Sequence, residues 1–182
     1  MDVEAAQVFF SLLALVAGAG AIVLAAARVS ARSSPPIARF VAAVDEAALW
    51  LAFLVAATAT AGSLYFSEVA DFIPCTLCWY QRIAMYPLSV ILLVAAIRRD
   101  RGVRWYAGPL AAAGAVISTY HYLVEWFPSL EGSDVCSASV PCTTPWFRQF
   151  GFVTLAFMAL CGFVAILVLV VPGPPTRHLE AS

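Results

Sequence analysis

Lysine is absent from the 182 residues, charged residues make up only 12% of them, and the net charge is -1. Without a basic surface the chain offers nucleic acid no electrostatic footprint, and it carries no Gly-rich phosphate loop or dinucleotide fingerprint. Internal repeats, low-complexity tracts and the period-2 alternation of a membrane barrel strand are also missing. Apolar residues take their place: 63% of the chain is hydrophobic and the mean hydropathy is +0.90, outside the usual range for soluble domains. The main solvent of this protein is lipid.

About 30 Å of hydrocarbon takes roughly 20 apolar residues to cross as a helix. Five runs of that kind lie between charged or Pro-rich breaks, from Val8 to Ala27, Ala47 to Phe66, Trp79 to Ile97, Trp105 to Val124 and Phe150 to Val171. In lipid each must be helical, because unpaired backbone groups there cost several kcal/mol apiece. The expected fold class is an all-α integral membrane protein. Asp2 and Glu4, with no basic residue before the first run, argue against a cleaved signal peptide.

Arginine sets the expected orientation. Arg28, Arg32 and Arg39 lie in the first connection, Arg98, Arg99, Arg101 and Arg104 in the third, and Arg177 in the tail, all compatible with one side of the membrane. By the positive-inside rule that side is the cytoplasm, which places the regions around Cys75 and Cys136 outside it. A short Ser-, Arg- and Pro-rich stretch around Pro35 and Pro36 reads as a linker. The expected organisation is residues 1–40 as an N-terminal transmembrane helix with its linker, 41–172 as a four-helix core, and 173–182 as a cytoplasmic tail.

Four of the five cysteines fall outside the expected spans, on the oxidising face: Cys75 and Cys78 in C-T-L-C, and Cys136 and Cys142 with five residues between them. A C-x-x-C pair closes too small a loop to gain much chain-entropy stabilisation, so redox exchange suits it better than stapling. Pro74 breaks the chain just before it, and an apolar helix beginning near Cys78 sets that sulfur among free N–H groups at the positive end of the helix dipole. Arg82 follows one turn later on the same face. Both features favour a thiolate at Cys78. An arginine just inside an apolar span is a functional candidate, with a snorkelling interfacial side chain as the plain alternative.

The run Pro74-Cys75-Thr76-Leu77-Cys78-Trp79-Tyr80-Gln81-Arg82, with Ile83-Ala84-Met85-Tyr86-Pro87 after it, resembles the quinone-linked disulfide-bond formation proteins of the DsbB family, above all their shorter BdbC-like branch. Val140-Pro141-Cys142-Thr143-Thr144, Trp146 and Phe150-Gly151-Phe152-Val153-Thr154 extend the likeness, which runs from about Asp45 to Val171. The resemblance implies a membrane disulfide oxidase with a four-helix core, to which the first helix is an addition. It further implies that Cys136 forms a mixed disulfide with an extracytoplasmic, DsbA-like thioredoxin-fold oxidase. Cys142 then passes electrons to Cys75, and Cys78 delivers them to a membrane quinone, ubiquinone or menaquinone. Arg82 would hold a quinone carbonyl, and His121, with Glu125 one turn on, would stand beside the ring. No metal or flavin enters this relay, and the setting is a bacterial cytoplasmic membrane.

Plain alternatives accompany these roles. His121 and Glu125 lie among Tyr120, Tyr122, Trp126 and Phe127, the residues that a membrane interface attracts. Arg148 is expected at the head of the last helix, where a lipid headgroup is a sufficient partner. Asp45 and Glu46 pair with Arg39 at an exposed site worth under about 1 kcal/mol. Cys161 reads as a small buried hydrophobe, and the Ala17-Gly18-Ala19-Gly20 run as a close helix contact. Vitamin K epoxide reductase-type enzymes use similar parts, but their loop pair precedes the C-x-x-C, the reverse of the order here. A zinc site of four cysteines and a structural subunit with inert disulfides are the non-enzymatic readings.

Overall fold

The computed structural model describes residues 2–132, 136 and 140–171, and the tail with Arg177 lies outside them. Five helices dominate: α1 (Val3–Ser30), α2 (Pro35–Glu68), α3 (Thr76–Arg98), α4 (Arg104–Trp126) and α5 (Leu155–Val170). No strand occurs among the described residues, so the all-α expectation holds. By length and composition α1, α2 and α3 suffice to cross a membrane. Helix α4 has 23 residues, but Gly, Pro, Tyr, His and Glu dilute its apolar character.

The last helix is shorter than expected, with 16 residues that rise about 24 Å. Its approach, from Gln149 to Val153, is a tight turn instead of helix. Gln149 and Val153 bridge each other, and Phe150 and Gly151 between them adopt φ of 54° and 82°. Thr154 then caps α5, its Oγ1 accepting the N–H of Phe157 at 3.3 Å. Arg148 therefore stands before this turn and not at a helix head.

Helix α5 packs on α1, α2 and α4, α3 lies between α2 and α4, and α1 covers the outside of α2 and α5. Close approach depends on small residues. A Cβ on Gly114 of α4 would fall 2.3 Å from the Phe163 ring of α5, and one on Gly18 of α1 would fall 3.0 Å from Cys161 Sγ. Gly18 thus supplies the expected close contact, with α5 as its partner, and Cys161 is buried against it.

At the end opposite the redox cysteines, Arg28 is buried and tied to three helices. Its guanidinium pairs with Asp45 of α2 and donates to the carbonyls of Val168 and Val171, the latter at 2.6 Å. Those carbonyls belong to the orphan set that the end of α5 cannot satisfy itself. Asp45 therefore pairs with Arg28 rather than Arg39, because α1 runs far enough to carry Arg28 between α2 and α5.

Candidate functional site

Where α3 begins, Cys75 is the capping residue, extended at φ -72° and ψ 172°, and its Sγ accepts the N–H of Cys78 at 3.3 Å. The free amide at the helix mouth is thus taken by Cys75, a correction to the expectation that it would favour Cys78. The two sulfurs are 2.8 Å apart. Cys75 is buried in a cluster with Leu77, Val124 and Cys142, against which Cys78, Cys136 and Val140 pack. Cys78, unlike Cys75, also lines a cavity of about 360 Å³ between α1, α2, α3 and α5.

The second pair is joined as a disulfide with a Cα–Cα separation of 5.9 Å. Cys142 is only 1% exposed, whereas Cys136 is partly accessible. Five intervening residues therefore do not hold this pair away from Cys75, since the loop folds Cys142 into the same cluster.

Helix α4 adds His121, 3% exposed, with Nε2 3.6 Å from Cys75 Sγ and Nδ1 3.1 Å from Gln81 Nε2. An amide nitrogen only donates, so Nδ1 accepts and the imidazole proton sits on Nε2, facing Cys75. Glu125, 5% exposed, comes within 3.9 Å of the same Nε2 and accepts a 2.6 Å hydrogen bond from Thr154 Oγ1. These two residues are buried polar groups and not part of an interfacial belt, a role left to Trp126 and Phe127, which are exposed. Arg148 donates to the Glu125 carbonyl at 2.8 Å and lies over the Trp126 ring, so its partners are protein groups.

Arg82 points across to α2. Its Nε donates to Ser63 Oγ at 3.0 Å and its Nη2 to Ser63 O at 2.9 Å, while the guanidinium lies over the rings of Trp79 and Tyr86. Nη1 has no hydrogen bond among the described residues. Arg82 and Cys78 share the cavity wall, and among the described residues no hydrogen bond joins them. Gln81 and Ser63 were not singled out by the sequence, nor was the tie from Thr154 to Glu125. A glutamine inside an apolar run and a threonine at a helix cap were the available signals.

The Cys78 hydrogen bond first, and that of His121 after it, hold the Cys75 thiol well below the ordinary thiol range, with burial opposing them. A depressed folded-state pKa stabilises the reduced protein fully above the unfolded value near 8.5, and this is lost as pH falls towards the folded value. Alkylation of Cys75 in reduced protein, followed by mass spectrometry, is expected to keep its plateau rate through pH 7. In Cys78→Ala the midpoint should move upward. A wild-type midpoint near 8.5 would contradict this.

Cys75, Cys78 and His121 bring three donor atoms within 4.8 Å of one another, as do Glu131, Cys136 and Cys142. A four-cysteine zinc site needs four thiolates, and the disulfide removes two. The cavity has the size of a small-ligand site, with mostly apolar walls and Cys78, Gln81 and Arg82 among its lining residues.

Residues 45–172 match the family model described as disulfide bond formation protein DsbB. The chain is 47% identical over 120 residues to disulfide bond formation protein C of Bacillus subtilis strain 168, covering 66% of this chain and 87% of that relative. To probable disulfide formation protein C 1 of Bacillus anthracis it is 45% identical over 124 residues, 68% and 89% of the two lengths. Probable disulfide formation protein of Oceanobacillus iheyensis is 45% identical over 125 residues, covering 68% and 86%. No solved structure matches the chain.

Proposed function

Because this chain belongs to the DsbB family of disulfide bond formation proteins, we propose that its two cysteine pairs act in a fixed order, Cys136–Cys142 first and Cys75–Cys78 second, with a quinone seated beside Cys78. The family consists of quinone-linked membrane oxidases that reoxidise DsbA-like proteins, so the chain is a multi-pass membrane disulfide oxidase whose partner is a thiol–disulfide oxidoreductase. The observation that carries the order is the asymmetry of C-T-L-C: Cys75 is buried in one cluster with Cys142, and Cys78, packed against that cluster, also lines the cavity.

A thiolate of an extracytoplasmic thioredoxin-fold partner attacks Cys136, the accessible sulfur, and Cys142 leaves. Cys142 attacks Cys75 of the inner disulfide, and Cys78 departs as a thiolate. The partner's second thiol resolves its bond to Cys136 and is released oxidised. Cys136 then attacks Cys142, restoring the outer disulfide and freeing Cys75. Two electrons and two protons have moved from partner to inner pair. The quinone, ubiquinone or menaquinone, is the two-electron, two-proton acceptor that lets the inner disulfide re-form.

Other residues position these sulfurs. His121 keeps a proton at Nε2 against Cys75, and Gln81 fixes that tautomer. Thr154 orients Glu125, which faces His121. Arg82, anchored by Ser63, offers Nη1 towards a quinone carbonyl. Arg28, Arg98, Arg99, Arg101 and Arg104 at the opposite end support a cytoplasmic location for that end in a bacterial cytoplasmic membrane. Residues 41–172 then form the catalytic core, 1–40 an added segment and 173–182 a cytoplasmic tail.

Mixing purified protein with a reduced thioredoxin-fold dithiol protein and a quinone tests the order. Wild type should form quinol, whereas Cys142→Ser, which leaves Cys136 with no outer disulfide for the partner thiolate to attack, should form none and leave the partner dithiol reduced. Wild-type rates in both Cys142→Ser and Cys75→Ser would refute the relay.

A further inference from the structure

Helix α1 lies outside the family match, yet it lines the cavity that Cys78 enters. Phe10, Leu13, Ala14, Val16 and Ala17 contribute to its wall. Residues 10, 13, 14 and 17 recur at helical spacing and form one face.

The helix is seated along its length. Near the cysteine end, Gln149 Nε2 donates to Gln7 Oε1 at 3.2 Å, and Phe10 packs so closely over Gly62 that a Cβ there would meet its ring at 2.9 Å. Ser11 Oγ points to Met158 Sδ at 3.6 Å, Gly18 meets Cys161, and Arg28 closes the far end. A helix held this firmly that still borders open space beside Ala14 and Ala17 forms a built wall.

Most polar groups of the cavity wall gather around the start of α3, at Cys78, Gln81, Arg82, Ser63 and Ser67. From there the α2 wall runs down from Ser67 to Leu54, thirteen residues or about 20 Å at helical rise. A quinone head fills the polar end. The remaining wall, from Leu54, Ala17, Met158 and Gly162, is apolar except for Thr58.

We propose that α1 completes the acceptor site as a channel for the polyprenyl tail, with Ala17 and Leu13 setting how well a tailed quinone is held. This rests on the reading of the cavity as the quinone site, and it assigns to α1 a part in acceptor selection. A tail against α1 exchanges lipid contacts for close packing against a shaped wall, so affinity rises with the fit between tail and wall.

Equilibrium titrations in one detergent, read by quenching of tryptophan fluorescence with Trp146 on the cavity wall, separate the possibilities. The probes are a benzoquinone with a polyprenyl tail and the same ring without it. Ala17→Phe is expected to weaken the tailed probe about tenfold or more, equal to about 1.4 kcal/mol, and to leave the tailless ring within about twofold. Leu13→Ala, which removes wall rather than filling space, should weaken only the tailed probe, roughly threefold to tenfold, and stands in should Ala17→Phe not fold. Equal losses for both probes, or none for the tailed one, overturn the proposal. Wild type that binds the ring with no preference for a tail overturns the role of α1 while sparing the acceptor site. Wild type that binds neither probe removes both.

Discussion

Cys78→Ser is expected to lower quinol formation by roughly a thousandfold or more, the scale seen when a covalent nucleophile is removed. Among the described residues Cys78 is the only cysteine on the cavity wall, and an alcohol at that place neither carries negative charge at neutral pH nor forms a disulfide with Cys75. The outer pair is untouched by this change, so the partner dithiol should still open Cys136–Cys142 once per protein. A single burst of partner oxidation, equal to one outer disulfide, with no further turnover is the distinguishing result. Sustained turnover would mean that the sulfur facing the cavity is not the exit for electrons.

Arg82→Met is expected to lower kcat/KM for quinone by about 10- to 100-fold, as loss of a hydrogen bond from a charged group is worth about 1.5–3 kcal/mol. Methionine keeps much of the side-chain volume while removing the donors to Ser63 and to the cavity. The rate at which partner dithiol reduces Cys136–Cys142 should stay within about twofold of wild type in single-turnover mixing, because the outer pair lies in the Cys75 cluster, away from Arg82. Ser63→Ala, which removes one of the two Ser63 bonds but leaves the guanidinium, should cost less than Arg82→Met. If Arg82→Met slows both half-reactions alike, Arg82 serves only to hold α3 against α2.

Much of this was legible in the chain because lipid imposes strong local rules. Long apolar runs gave the helical class and located α1, α3 and α4 closely, and the spacing of C-T-L-C with Arg82 marked the reactive end, but α2 begins at Pro35, in the stretch expected to be a linker, because proline is well suited to the first turn of a helix. The head of α5 was misread because Phe150–Val153 is as apolar as a helix, and only the left-handed backbone at Phe150 and Gly151 separates the two. Apolar content says nothing about which way a carbonyl turns.

The site was read in part for a related reason. Cys75, His121 and Glu125 come from sequence neighbourhoods that announce polar groups in an apolar setting, but their partners Gln81, Ser63 and Thr154 are chosen by how helices face each other. The direction of Arg82 was likewise invisible. One turn of spacing permits contact with Cys78, and the guanidinium instead turns to a serine nineteen positions away. The same holds for α1, whose composition named a membrane segment and not its neighbours.

Arg28 carries a consequence for how the molecule is assembled. It joins residues 140 and 143 positions apart, so its partners on α5 emerge long after α1 has entered the bilayer. Until then the guanidinium has only Asp45 for company, and an ion pair with unfilled donors in hydrocarbon favours staying near the headgroups. Docking of the final helix supplies the carbonyls of Val168 and Val171, so a chain halted before Leu155 leaves two hydrogen bonds of this guanidinium unmade.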